Sequence, residues 1–273
     1  MTEELVSDYK LPVQRACKLT GLTRSQYYYS SKRDDSEVTR ALQDLAFQHP
    51  CYGFRKLFAY LRREGKSWNH KKVYRIYKLL KLNKRIKAKR RLPARVKQPL
   101  VRQTAVNQSW SMDFMSDSMV SGRKFRTLNI IDDCTREVLA IEIDTSLSAK
   151  RVTRVLDRII AERGKPVSIR VDNGPEFTSN EFVLWAKDKS ISIQYIQPGK
   201  PMQNGFIERF NRLYREAVLD AYLFFELYEV RELTTEWIKE YNGRRPHEAL
   251  NNLTPLEYKN KAEEKKKHQS TTV

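Results

Sequence analysis

From residue 107 onward the apolar pattern changes period in a fixed order, and that order limits the folds open to the chain. SWSMDFMSD, KFRTLNIIDD and EVLAIEID have the length and patterning of strands and are joined by short polar links, which predicts an antiparallel meander. Val152, Val155, Leu156, Ile159 and Ile160 then recur at helical spacing between Ala149 and Arg163, and Gly164 ends the stripe. PVSIRVD predicts a strand, NEFVLWAKDK a helix, ISIQYIQ a strand, and a further helix begins at about Gly205. A mixed sheet flanked by helices follows, an α/β domain.

The chain ahead of that domain is of another kind. VQRACKLTGLTRSQYYY, residues 13 to 29, predicts a helix, a turn at Gly21 and a second helix capped by Thr23 with Gln26 at capping-box spacing. It reads equally as a helix-turn-helix or as an ordinary helical hairpin. Ser36 to Gln48 forms another amphipathic helix. After HPCYGFRKL, Leu57, Tyr60 and Leu61 share a face, Gly65 breaks the chain, and Asn69 caps a helix carrying Val73, Ile76, Tyr77 and Leu80. The opposite face of that helix carries Lys71, Lys72, Arg75 and Lys78, which makes it the stronger candidate for DNA contact. The expected organisation is a helical region over 1–50, a basic helix-turn-helix-like segment over 51–83 and a basic linker over 84–106. The α/β core covers 107–222, a helical extension 223–260 and a disordered tail 261–273.

Charge separates these parts. The 273 residues carry a net charge of +19, yet residues 51 to 110 alone contribute +18, with nineteen basic side chains and one acidic. A solvated surface would scatter its lysines among acids, so a concentrated stretch of this kind points to a phosphate backbone, with nucleic acid the natural partner. No run of eighteen apolar residues occurs and MTEELVSDYK has no apolar segment, which predicts a cytoplasmic protein without a membrane span or secretory signal. Cys17, Cys51 and Cys134 lie far apart, supporting neither a disulfide framework nor a zinc site.

Three acids fall where an exposed carboxylate needs a reason. Asp113 lies inside the first strand, Asp172 ends the fourth in RVDNGPEF, and Glu208 lies one turn into GFIERFNRLYREA. The order of elements places the first and fourth strands side by side with the last helix across them, so the three converge. Gathered carboxylates stay ionised together only beside a cation, and hard oxygen donors without histidine or thiolate favour Mg²⁺ or Mn²⁺. Two such ions about 4 Å apart clamp the attacking and leaving oxygens of a phosphodiester, so no protein nucleophile is needed. Asn211, Arg212 and Arg215 stand three, four and seven residues after Glu208, on its face, as candidate DNA contacts. Asp132 and Asp133 fit an Asx turn before Cys134, and Glu176 has no assigned role.

The segments WSMDF, RVDNGPEF and NGFIERFNRLYRE, with 58 residues between the two aspartates and 35 between Asp172 and Glu208, resemble the DDE integrase core of retroviral integrases and insertion-sequence transposases. With the YYY helix, HPCYGFRKL and EWIKEYNGRRPHEALNNLTPLEY, residues 11 to about 260 resemble the second reading-frame product (OrfB) of the IS-three family of bacterial transposases. The resemblance implies a ribonuclease-H-like integrase core preceded by an all-α, helix-turn-helix-like region. It implies Asp113 and Asp172 on one metal, Asp113 and Glu208 on another, and Asn211 and Arg215 against DNA near the cut. It further implies nicking at element ends, strand transfer by a 3′-hydroxyl, a homo-multimer in the synaptic complex, and a first-frame (OrfA) partner or fusion on the bacterial nucleoid. A different class of reading is a non-catalytic DNA-binding regulator or partner of a longer frameshifted transposase. A ribonuclease-H-type hydrolase shares the metal chemistry but leaves the basic front unexplained.

Overall fold

The computed structural model describes residues 1–30, 34–83, 103–197 and 201–271, without the side chains of 201, 202 and 265–271. Residues 84–102 of the basic linker expected over 84–106 lie outside the described residues, as do residues 198–200 ahead of the helix that begins at Gly205. The chain divides into two compact units, one of residues 1–49 and 67–83, the other of 50–66 and 84–273.

The first unit is helical: α1 (Thr2–Ser7), α2 (Val13–Thr20), α3 (Arg24–Tyr27), α4 (Ser36–Gln48) and, later in the chain, α6 (His70–Leu79). Gly21 ends α2 at φ +70°, and Thr23 and Gln26 form the reciprocal capping box that their spacing predicts. Val38, Leu42 and Leu45 of α4 and Val73, Ile76 and Tyr77 of α6 are buried, so the apolar stripes of both helices are spent on the core. Asn69 caps α6 through the Lys71 amide. At the start of α4, Asp35 accepts the Arg75 guanidinium at 2.6 Å and lies 3.5 Å from Lys72.

The second unit holds a five-stranded sheet of β1 (Ser109–Ser118), β2 (Lys124–Asp132), β3 (Val138–Asp144), β4 (Ser168–Val171) and β5 (Ser192–Tyr195), in the order β3-β2-β1-β4-β5. The first three strands form the antiparallel meander, and β4 and β5 add in parallel through α7 (Ala149–Arg163), α8 (Pro175–Thr178) and α9 (Asn180–Asp188). Side chains alternate across the sheet. Trp110, Met112, Leu128, Ile130, Ile169 and Val171 enter the layer with α7 and α9. Met115, Phe125 and Ile131 enter the opposite layer with α10 (Gly205–Tyr214) and α11 (Leu227–Gly243). α12 (Pro255–Thr271) continues past residue 260, where the sequence reads as tail, because Lys-Ala-Glu-Glu-Lys-Lys-Lys is strongly helix-forming and free of glycine.

α5 (Phe54–Arg63) belongs to this second unit. Tyr60 donates to Glu240 of α11 at 2.5 Å, and Arg245 donates to the Tyr52 hydroxyl at 3.0 Å. Arg63 pairs with Glu257 at 2.5 Å. HPCYGFRKL is thus part of the packing beneath YNGRRPHEAL, and the helices read as one pair over 51–83 fall in different units.

Candidate active site

β1 and β4 pair in parallel with Ser111 opposite Arg170, and the register carries Asp113 and Asp172 to the same level two residues further on. Asp113 shares the face of Ser111 and Met115, the one that α10 covers. Asn204, which precedes α10, is buried and donates to the Met112 carbonyl at 3.4 Å, tying the start of that helix to β1. Glu208 lies in its first turn. Three elements distant in sequence therefore bring one carboxylate each to this region.

Burial, then the charge of Asp172 and that of Glu208 push the Asp113 carboxyl up to about 6, against the Phe114 N–H and the Asn211 amide, which favour its ionised form. The amide donates to Asp113 Oδ2 at 2.7 Å and the Phe114 N–H to Oδ1 at 2.8 Å. Partial burial also raises the Glu208 carboxyl. Asp172 Oδ1 accepts the Gly174 N–H at 3.0 Å, and a Cβ on Gly174 would stand 3.0 Å from the same oxygen, so a side chain there would press on the Asp172 carboxylate. Among the described residues no group of three His, Cys, Asp or Glu stands close enough to hold a metal ion together. Asp113 senses both other acids without the three closing on one point. The donor set still fits a hard divalent cation, since it consists of carboxylates that repel one another.

The neighbouring polar residues have settled partners. Asn211 is 8% exposed, with its amide on Asp113 and its carbonyl accepting from Asn129 at 2.7 Å, so a residue expected at the DNA surface instead orients an acid. Arg215 donates at 3.0 Å to Asp117 and to the Ser116 carbonyl at the far end of β1, where a π-helical turn, Arg215–Leu219, follows α10. Arg212 is exposed on the same helix. Glu176 pairs with Arg126, whose guanidinium lies 4.3 Å from the Phe114 ring centroid, which gives that acid a structural partner beside the site. Lys71, Lys72, Arg75 and Lys78 lie in the other unit, where Lys72 and Arg75 hold Asp35 while Lys71 and Lys78 face solvent.

Of the pair Asp132 and Asp133, the first forms the turn and the second is held by side chains of β1 and β4. Asp132 Oδ1 accepts the backbone N–H groups of Cys134 and Thr135, each at 2.8 Å. Asp133 is buried against Ser109, Ser111 and Arg170. His247 is half-buried and its imidazole is lowered to about 3 by desolvation and by Arg245, so it stays neutral in packing. Sequence reading missed Asn129, whose one signal is an amide inside the apolar run of KFRTLNIIDD, and Gly174, which stood unremarked in RVDNGPEF.

Known proteins match along most of this length. Integrase core domain models match residues 103–201 and 189–255, and an HTH-like domain model matches residues 32–90. The "Insertion element IS407 uncharacterized 31.7 kDa protein" of Burkholderia multivorans is 40% identical over 247 residues, 90% of this chain and 89% of that protein. "Transposase InsD for insertion element IS2D" of Escherichia coli K12 is 25% identical over 268 residues, 91% of this chain and 88% of that protein. In fold, a chain of the simian T-cell lymphotropic virus intasome complex superposes with a TM-score of 0.50 at 17% identity, over 80% of this chain and 74% of that one. No helix among the described residues is long and apolar enough to cross a membrane.

Proposed function

Because the chain belongs to the IS-three family of insertion-sequence transposases, as a second-frame product with an integrase core, we propose that it cuts and joins DNA through Asp113, Asp172 and Glu208. It is an enzyme of the DDE polynucleotidyl-transferase class. The observation that supports the site assignment is the β1–β4 register, which carries Asp113 and Asp172 to one level on the face covered by α10, the helix that bears Glu208. An arrangement of that kind is costly to the fold and useful to a cation site.

Asp113, Asp172 and Glu208 would hold Mg²⁺ or Mn²⁺, two ions in our reading. Bound there, the cations would supply a lowered pKa for an attacking water or DNA 3′-hydroxyl and positive charge to offset that of the phosphodiester. The residues of the chain supply the remainder. Asn211 keeps Asp113 ionised and oriented, Gly174 lets Asp172 accept a backbone N–H, and the Asn204 tether sets the level of Glu208 against β1. Arg212 is exposed one turn beyond Glu208 and suits a DNA phosphate. The partner is double-stranded DNA, the ends of an insertion sequence and its target, with copies of the chain assembling at the paired ends. A first-frame partner or fusion, and action on the nucleoid, belong to the same proposal.

The test is a labelled duplex carrying an element end, incubated with the chain and Mg²⁺ or Mn²⁺ beside Glu208→Gln. Nicked and joined products from the wild type alone are expected. Equal products from both would remove Glu208 from the site. Binding without products from either would favour a non-catalytic regulator or a need for the first frame, and a fused protein separates those two.

A further inference from the structure

Asn129 sits in the middle of β2, directly across from Asp113 on β1. Its neighbours Leu128 and Ile130 fill the layer under α7, so Asn129 itself faces α10. The residue is fully buried, and its Nδ2 donates to Asn211 Oδ1 at 2.7 Å. Asn211 Nδ2 in turn donates to Asp113 Oδ2 at 2.7 Å. Two amides thus connect the centre of β2 to a carboxylate of the site.

The direction of this run is fixed from its charged end. An ionised carboxylate only accepts, so Asn211 turns its NH₂ toward Asp113 and its carbonyl toward β2, where only a donor can meet it. Asn129 supplies that donor. Its own Oδ1 meets no donor among the described residues, and a buried acceptor without a partner destabilises the fold. An aliphatic side chain would serve this strand better, so the sheet has no use for the amide and the site does.

We propose that Asn129 is a positioning residue for the reaction. Acting through Asn211, it holds the Asp113 carboxylate in one orientation, with Oδ2 engaged by the amide, Oδ1 by the Phe114 N–H, and the remaining lone pairs left for a cation. The inference rests on the assignment of Asp113, Asp172 and Glu208 as the active site. With no donor at 129, the Asn211 amide can rotate and turn its carbonyl toward the carboxylate, which repels it.

The test compares Asn129→Leu with Asn129→His in the full chain. Both alter packing, but only histidine keeps a ring N–H close to where the amide N–H stood. Mn²⁺ binding, followed by its paramagnetic resonance signal without DNA, should weaken by about 10-fold or more in Asn129→Leu. kcat for nicking should fall by about 10- to 100-fold, with KM for DNA unchanged. Asn129→His should recover a substantial part of both. Equal impairment of the two variants, or Mn²⁺ binding and kcat in Asn129→Leu equal to wild type, overturns the inference. A wild type that neither binds Mn²⁺ nor nicks DNA overturns the active-site assignment first, and this inference with it.

Discussion

Two groups of acids lie on and beside the sheet, one buried and one partly open to solvent, and they are treated in opposite ways. At the end of β2, Asp132 accepts three backbone N–H groups, from Asn107, Cys134 and Thr135. Asp133 accepts from Ser109, Ser111 and Arg170, and Glu137 lies 2.7 Å from Arg163 and 3.7 Å from Lys259. Burial still raises Asp133 and Glu137, but each charge meets a cation. At the level of Asp113, none of the three acids has an ion pair to Lys or Arg among the described residues, and the strongest charges that Asp113 senses are Asp172 and Glu208. An answered acid is part of the fold, whereas unanswered acids facing one another hold energy that a cation can release.

Breaking the answered group should have the largest effect on stability. Asp133→Ala leaves the Arg170 guanidinium buried without its 2.9 Å partner and should cost about 3–5 kcal/mol, seen as a lower denaturant midpoint. A change below about 1 kcal/mol would place Arg170 in water and dissolve the contrast. The unanswered group should behave in reverse: Asp172→Asn or Glu208→Gln should lower nicking by about 100-fold or more with the melting temperature held or raised. Lost activity together with a lower melting temperature would make these acids structural as well.

Asp113 sharpens the comparison through pH. Its carboxyl is raised to about 6 in the folded protein, above the ordinary aspartate value of 3.8, so ionisation opposes folding. The penalty is complete above pH 6, shrinks as pH falls through that value, and is absent below about pH 4. Asp113→Asn should therefore stabilise the metal-free protein by about 1–3 kcal/mol at pH 7.5, with the gain fading by pH 4. Adding Mn²⁺ should raise the wild-type melting temperature and leave the variant's unchanged. A variant less stable than wild type at pH 7.5 in the absence of metal would count against the raised value.

How much of this was legible follows from the same distinction. The strand and helix periods predicted the sheet and its α7 and α10 layers, because burial imposes those periods directly on the sequence. The three acids stood out as charges in strand and helix positions. Asn129 did not, since one amide in an apolar run has no partner visible along the chain, and its meaning depends on a pairing of β1 with β2 that local pattern does not encode. What covers α5 was hidden for a related reason: Leu57, Tyr60 and Leu61 form an amphipathic stripe that announces a buried face but not its partner, here α11 through Glu240.

The α6 face shows the same division between answered and unanswered charge in the other sign, at smaller cost. Lys72 and Arg75 hold Asp35, while Lys71 and Lys78 are exposed, with Lys78 4.7 Å from the Tyr74 ring centroid. Arg75→Ala should lower the melting temperature only slightly, because the pair lies at the solvent-exposed surface. Lys71→Ala with Lys78→Ala should leave the melting temperature in place and weaken DNA binding. If each lysine neutralises one phosphate, the log–log salt slope should flatten by about 0.9 per lysine. A slope that responds to Arg75→Ala as strongly as to the double change would show that the Asp35 pair opens on DNA, and that an answered cation at this surface is still available to phosphate.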